Sequence, residues 1–194
     1  MVIKQLVDLQ KEIHQTNLEK GFWPTDVVRN RGEMVVLIIT ELSEAVEAHR
    51  EGKRYDPFNR ATAFLDGSAV SENPGLSWES VFQVQVKNSV EDEFADTVIR
   101  ILDYCYGWKI PLSLMEMKFT MKENFGESIV ELIEYILRAY RTDVPRHLCV
   151  QGSWSVALQM IISFCQQSNI DILQHVQWKL KYNKTRAFKH GKNY

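Results

Sequence analysis

Two apolar helical segments each carry a pair of carboxylates three residues apart: Glu41 and Glu44 in one, Glu93 and Asp96 in the other. On an α-helix, positions i and i+3 share a face, so each segment points two negative charges the same way. Leu37, Ile38, Leu42, Ala45 and Val46 surround the first pair, and Phe94, Ala95 and Val98 the second. Charge at the edge of a packing face is costly unless it is paired or coordinated. Two such helices packed together would converge four acids on a cation. A hard, oxygen-seeking divalent ion suits the set, and Mg²⁺ is the first choice because it binds carboxylates and substrate phosphates together, with Mn²⁺ able to substitute. A lone E-x-x-E is ordinarily a solvated face; the apolar flanks set these two apart. Glu33, Glu47 and Glu51 lack that setting, and Glu91 and Asp92 fit helix capping and the helix dipole.

The rest of the chain reads as helices. Val2, Leu6, Leu9 and Ile13 recur at helical spacing up to a stop at Lys20-Gly21, and a loop with Phe22, Trp23 and Pro24 follows. A second helix spans about 32–50 and ends before Gly52; a third opens at Ser89, with Asp92 as its capping partner, and runs to Gly107. Further helices are expected at 111–124, 127–141, 153–167 and 171–188. Between the acidic helices, residues 53–88 are dense in turn signals (Asp56-Pro57, Asp66-Gly67, Asn73-Pro74-Gly75) and form an inserted excursion, in which the Phe82-Val84-Val86 alternation suggests a short strand. The expected fold is an all-α bundle in a single domain covering 1–194. Gly32-Glu33-Met34-Val35-Val36 resembles Gly126-Glu127-Ser128-Ile129-Val130, and Leu102 to Cys105 echoes the stretch up to Cys165. Two helix pairs related by duplication would explain this, with Tyr135 and Val156 near where the first pair has acids; chance likeness of amphipathic helices is the alternative.

With a formal charge of -2 there is no general reason to expect nucleic acid or an acidic membrane as partner. Cys105, Cys149 and Cys165 show no metal-ligand spacing and fit reduced core thiols, which favours the cytoplasm; no signal peptide or membrane span is visible. The five histidines form no Glu-x-x-His pairs of the di-iron kind, and His14, His49, His147 and His175 read as structural or exposed. Arg100, one turn after Asp96, suggests an i,i+4 bridge to it. The one concentrated basic segment is Lys179 to Lys192, where Lys179, Asn183 and Arg186 fall on one helical face. That face suits phosphate oxygens. A basic C-terminal turn complementing the helix dipole is the other reading.

Taken in order, Gly21-Phe22-Trp23, Ile39 to Ala45 through His49-Arg50, Glu91 to Arg100, and Lys179 to Gly191 with its K-x-x-x-N-x-x-R and His-Gly ending resemble the MazG-like all-α nucleoside triphosphate pyrophosphohydrolases. The excursion at 53–88 and the helices over 127–167 are additional to a minimal member. The resemblance implies Mg²⁺-dependent cleavage between the α and β phosphates, giving a monophosphate and pyrophosphate. Glu41, Glu44, Glu93 and Asp96 would be the metal ligands, with Glu41 also the general base. Lys179, Asn183 and Arg186 would bind phosphate or sugar, with Lys181, Tyr182, Lys189 and Lys192 as further contributors, and Trp23 or Phe22 would stack on the base. Trp23 as a plug over the bundle end is the alternative. The implied partner is the nucleoside triphosphate, and both a monomer and a homodimer stay open. Two rivals remain at this stage: a phosphoribosyl-ATP pyrophosphohydrolase or deoxyuridine triphosphatase relative, and a non-catalytic nucleotide sensor or adaptor using the excursion as its contact surface.

Overall fold

The computed structural model describes residues 2–59, 61–67, 76–113, 117–143 and 153–191, and all regular structure among them is helical. The helices are α1 (Val2–Asp8), α2 (Gln10–Glu19), α3 (Arg31–Arg50), α4 (Trp78–Gln85), α5 (Val90–Gly107), α6 (Phe125–Asp143), α7 (Ser153–Gln167) and α8 (Ile172–Thr185), with 3₁₀ turns at Thr62–Phe64 and Phe188–Gly191. Local chemistry sets several of their ends. The side chains of Asn30, Ser77, Ser89 and Asp171 each accept a hydrogen bond from an N–H of the first turn of α3, α4, α5 and α8 respectively. No described helix is long and apolar enough to cross a membrane.

Helix α5 is the axis of the molecule. It packs against α2, α3, α7 and α8, while α6 leans on α3 and α7. Its residues are buried on almost every side, from Val90 through Cys105. That is the burial expected of a helix enclosed by neighbours rather than one with a solvated face. Its polar groups must then be paired inside the protein, and this requirement builds the site described below. Cys105 and Cys165 are buried and not joined in a disulfide, and Cys149 lies outside the described residues.

The chain after α8 doubles back over the end of α2. Lys20 Nζ donates to the carbonyls of Lys184 and Arg186, and Lys189 N–H donates to Lys20 O at 2.8 Å. The tip of the Phe188 ring abuts Gly21, whose φ is +78°; a Cβ there would sit 2.0 Å from Cζ. Only glycine meets both demands.

Three expectations are corrected. Phe82-Val84-Val86 is not a strand: Ser77 caps α4, and the buried residues Trp78, Val81 and Phe82 follow helical spacing while Val84 is exposed. The helix expected at 111–124 is absent from its described residues. Instead Ser113 N–H donates to Ser155 Oγ, Phe119 N–H to Ser163 Oγ and Lys122 N–H to Ser128 Oγ, so side chains of α6 and α7 satisfy a backbone that is not helical. The first helix breaks at Leu9 into α1 and α2.

The excursion folds into its own apolar cluster, in which Leu65, Trp78, Val81, Phe82 and Val86 pack on Trp178 and Tyr182 of α8. Val90 N–H donates to Lys53 O at 3.1 Å, so the two ends of the excursion meet.

The helix pairs α3/α5 and α6/α7 match in detail. Val35, Ile38, Leu42 and Ala45 are buried in α3, and Ile129, Leu132, Ile136 and Ala139 are buried at the same spacing in α6. Helices α5 and α7 end alike: Lys109 and Asn169 have φ of 56° and 57°, and Ile110 and Ile170 donate to the carbonyls of Cys105 and Cys165, both at 2.8 Å.

Candidate metal centre

A cavity of about 620 Å³ opens between α2, α3, α5 and α8. Glu41 of α3 and Glu93 and Asp96 of α5 line it, each with a carboxylate oxygen within 4.8 Å of the others. Glu41 and Glu93 are buried, Asp96 is half-buried, and Glu44 lines the same cavity from an exposed position outside the close trio. Sequence spacing placed two acids on each helix face; packing brings three of the four into coordination range of one another.

Two cations already partner these acids. Arg100 Nε donates to Glu41 Oε1 at 2.6 Å, so its bridge crosses to α3 rather than running back to Asp96 along its own helix. Lys179 Nζ sits 2.7 Å from Asp96 Oδ2 and 2.7 Å from Asp92 Oδ2, and it is 4% exposed. Burial works against its charge, but Asp96 and Asp92 outweigh this and hold its pKa above the ordinary lysine value. Asp92 accepts a hydrogen bond from Asn88 N–H at 3.0 Å, as a capping residue does, and also anchors Lys179.

The acids still outnumber these cations. Burial, then Asp96 and Asp92, push the Glu93 carboxyl up to about 9. Glu41 is also raised, by burial and by Asp96, against the opposing pull of Arg100. In both, burial and neighbouring acids outweigh the positive charge within reach. An all-oxygen carboxylate set in this electrostatic state fits Mg²⁺ or Mn²⁺, whereas zinc or iron would ask for histidine or cysteine. Glu41, Glu93 and Asp96 are the residues that would hold the ion, with Glu44 at the rim.

Of the basic face, Lys179, Asn183 and Arg186 all line the cavity. Asn183 is 7% exposed, and its Oδ1 has no hydrogen-bond partner among the described residues. The other expected contacts lie elsewhere. Lys181 sits over the Trp78 ring, 4.1 Å from its centroid, and Tyr182 stacks on Phe82, so both face the excursion cluster. Trp23 packs on Gly107, where a Cβ would fall 2.2 Å from the indole, and its Nε1 donates to both oxygens of Asp103 at 3.0 and 2.9 Å. Phe22, unlike Trp23, lines the cavity. Lys192 and His147 lie outside the described residues.

Asn17, Arg29 and Asp103 also line the cavity and were not singled out by sequence, and Arg100, read there only as a partner for Asp96, lines it too. For Asp103 a signal existed: it lies seven residues after Asp96 and therefore on the same face of α5. Arg29 and Asn17 come from a loop and a helix whose place against α5 is set by tertiary packing, which no local pattern announces. His14 is structural in the expected sense, with Nδ1 2.7 Å from Asp103 Oδ1. His175 is buried, its pKa lowered to about 4 by desolvation, and His49 stacks on Phe125.

No family model, curated protein or solved structure matches the chain.

Proposed function

We propose that the chain is a MazG-like, Mg²⁺-dependent nucleoside triphosphate pyrophosphohydrolase, cleaving between the α and β phosphates to release a monophosphate and pyrophosphate. The observation that carries this reading is the convergence of Glu41, Glu93 and Asp96 in a cavity of about 620 Å³ that Arg186 also lines. That volume suits a nucleotide-sized ligand. Carboxylates for a metal and a guanidinium for phosphate are the two charge types that phosphoryl chemistry requires side by side.

When bound, Mg²⁺ (or Mn²⁺) supplies positive charge against the phosphate oxygens and makes water more acidic. The protein's own groups do the remainder. Arg186 binds phosphate at the half-buried edge, and Asn183 offers its unpaired Oδ1 as an acceptor to a sugar hydroxyl. Glu41 is the general base, since a carboxylate raised from its ordinary value by burial accepts a proton more readily near neutral pH. Arg100 fixes its orientation. Lys179 holds Asp96 in place from behind rather than reaching into solvent.

The matched burial of α3 with α6, and the matched turns after α5 and α7, support an internally duplicated bundle with the 53–88 excursion inserted in the first helix pair.

Product analysis tests the reaction. Purified protein incubated with mixed ribo- and deoxyribonucleoside triphosphates and Mg²⁺ should give monophosphate and pyrophosphate by phosphorus NMR, and Glu44→Gln should not. Orthophosphate as the direct product would refute the cleavage position. No turnover, together with no thermal stabilisation by Mg²⁺, would favour the sensor or adaptor reading.

A further inference from the structure

Asp103 is an unused carboxylate at the far end of the cavity. It lies seven residues beyond Asp96 on one face of α5, roughly 10 Å along the helix axis at 1.5 Å per residue. It is 4% exposed, yet lines the cavity. Two residues from elsewhere in the chain fix it: Trp23 Nε1 donates across both its oxygens, and His14 Nδ1 pairs with Oδ1 at 2.7 Å. The supports are themselves braced, with the His14 ring 4.9 Å from Trp23 and 5.0 Å from Tyr106, and Trp23 seated on Gly107. Arg29 lines the same end, its guanidinium 5.6 Å from the Trp23 ring centroid. Burial lowers the Arg29 pKa, and Asp103 is the foremost charge opposing that.

We infer that Asp103 and Arg29 form a specificity pair that selects nucleotides whose base carries an exocyclic amine. This rests on the proposal that the cavity takes a nucleotide with its phosphates at the Glu41–Asp96 end. The base would then reach the Asp103 end, where Phe22 supplies a flat apolar wall. An ionised carboxylate only accepts hydrogen bonds and a guanidinium only donates them. Side by side they complement an amine next to a ring nitrogen, the edge that cytosine, adenine and guanine all present. In uracil and hypoxanthine a keto oxygen or a bare carbon replaces the amine, leaving the buried carboxylate facing a lone pair or an unfilled position. A site built around a buried hydrogen-bonding group rejects the ligand lacking the partner far more strongly than an apolar pocket can. Beyond the contacts to Trp23 and His14 the carboxylate has acceptor capacity left over, and it lines the cavity.

The test uses pairs differing at the amine: CTP against UTP, and GTP against ITP, with the corresponding monophosphates in equilibrium binding. Wild type should favour the amine-bearing member by about tenfold or more in kcat/KM and in binding. Asp103→Asn keeps an acceptor for Trp23 and His14, and should bring both ratios close to one while a melting curve shows the fold intact. Arg29→Met should lower the same preference without touching the Trp23 tether. Nucleotides bound and hydrolysed without an amine preference, or a preference that survives in Asp103→Asn, would overturn this inference and leave the hydrolase reading standing. Failure to bind any nucleotide would overturn both.

Discussion

Lys179 is an ammonium sealed between two carboxylates, which makes its removal more costly than its presence is stabilising. With Lys179→Met, Asp92 stays 1% exposed and loses its counter-charge. Breaking a buried ion pair from one side costs about 3–5 kcal/mol, mostly through the charge left behind. Chemical denaturation should show that loss, and adding Asp92→Asn to the Met variant should recover a large part of it. The acids across the cavity set a pH dependence of their own. Glu93 has a folded pKa near 9 against an ordinary value of 4.5, so the folded protein binds its proton more tightly than the unfolded chain does. That stabilisation is complete below about pH 4.5 and is lost as pH rises through 9. His175 runs the other way: lowered to about 4 from 6.5, it contributes stability present above 6.5 that is lost as pH falls through 4. Metal-free protein should therefore be most stable in mildly acidic solution. Because a carboxylate ligand must shed its proton, the rise in Tm caused by Mg²⁺ should grow from pH 6 towards pH 9. Melting curves with and without Mg²⁺ across that range check it, and a gain independent of pH would show that Glu93 is not among the ligands.

At the level of elements, the segment between α5 and α6 shows where local pattern stops being informative. Pro111 to Asn124 carries helix-forming residues, yet its described backbone is not helical, because α7 offers it better partners. Ser155, Gln159, Ser163 and Gln167 lie four residues apart on an otherwise apolar helix, and each hydrogen-bonds the backbone of Ser113, Met117 or Phe119. That polar stripe was visible in the sequence, but it announces an unmet backbone only once α7 is known to face one. Ser163→Ala tests the account. It leaves the buried Phe119 N–H without an acceptor and should cost about 1–3 kcal/mol, while leaving Mg²⁺ affinity unchanged; a loss below about 0.5 kcal/mol would mean that the segment finds other partners. Elsewhere local rules were sufficient. The Ser89 cap, the limits of α3 and α7, and the apolar faces carrying Glu41, Glu93 and Asp96 all follow from spacing and capping, because they depend on residues within a few positions of one another. Arg100 went to Glu41 instead of Asp96 for the opposite reason: the choice between two acids is made by how α3 lies on α5.

The whole molecule has two similar helix pairs, and only the first has acids at the positions of Glu41, Glu44 and Asp96. In the register set by their matching buried residues, α6 places Tyr135 and Arg138 where α3 has Glu41 and Glu44, and α7 places Val156 where α5 has Asp96. An apolar side chain, a phenol and a guanidinium cannot gather a hard cation. What α6 and α7 retain is the packing face: Leu132, Ile136, Leu158 and Ile161 are fully buried in the same core as Ile38, Leu42, Val98 and Ile101. On the duplication reading, the second pair has kept its structural half and lost its acids at these positions, and it walls the acid-bearing pair in the way a second subunit would. One set of metal ligands per chain follows, whatever the chain's state of association. Mn²⁺ titration followed by electron paramagnetic resonance should give the same stoichiometry per chain for wild type, Tyr135→Phe and Val156→Ala, and these two variants should turn over nucleotide as wild type does. Glu44→Gln should abolish turnover, since the acids of α3 and α5 have no counterpart to replace them. Comparable losses at Tyr135 and at Glu44 would place chemistry in both pairs and remove the reason for treating α6 and α7 as a scaffold.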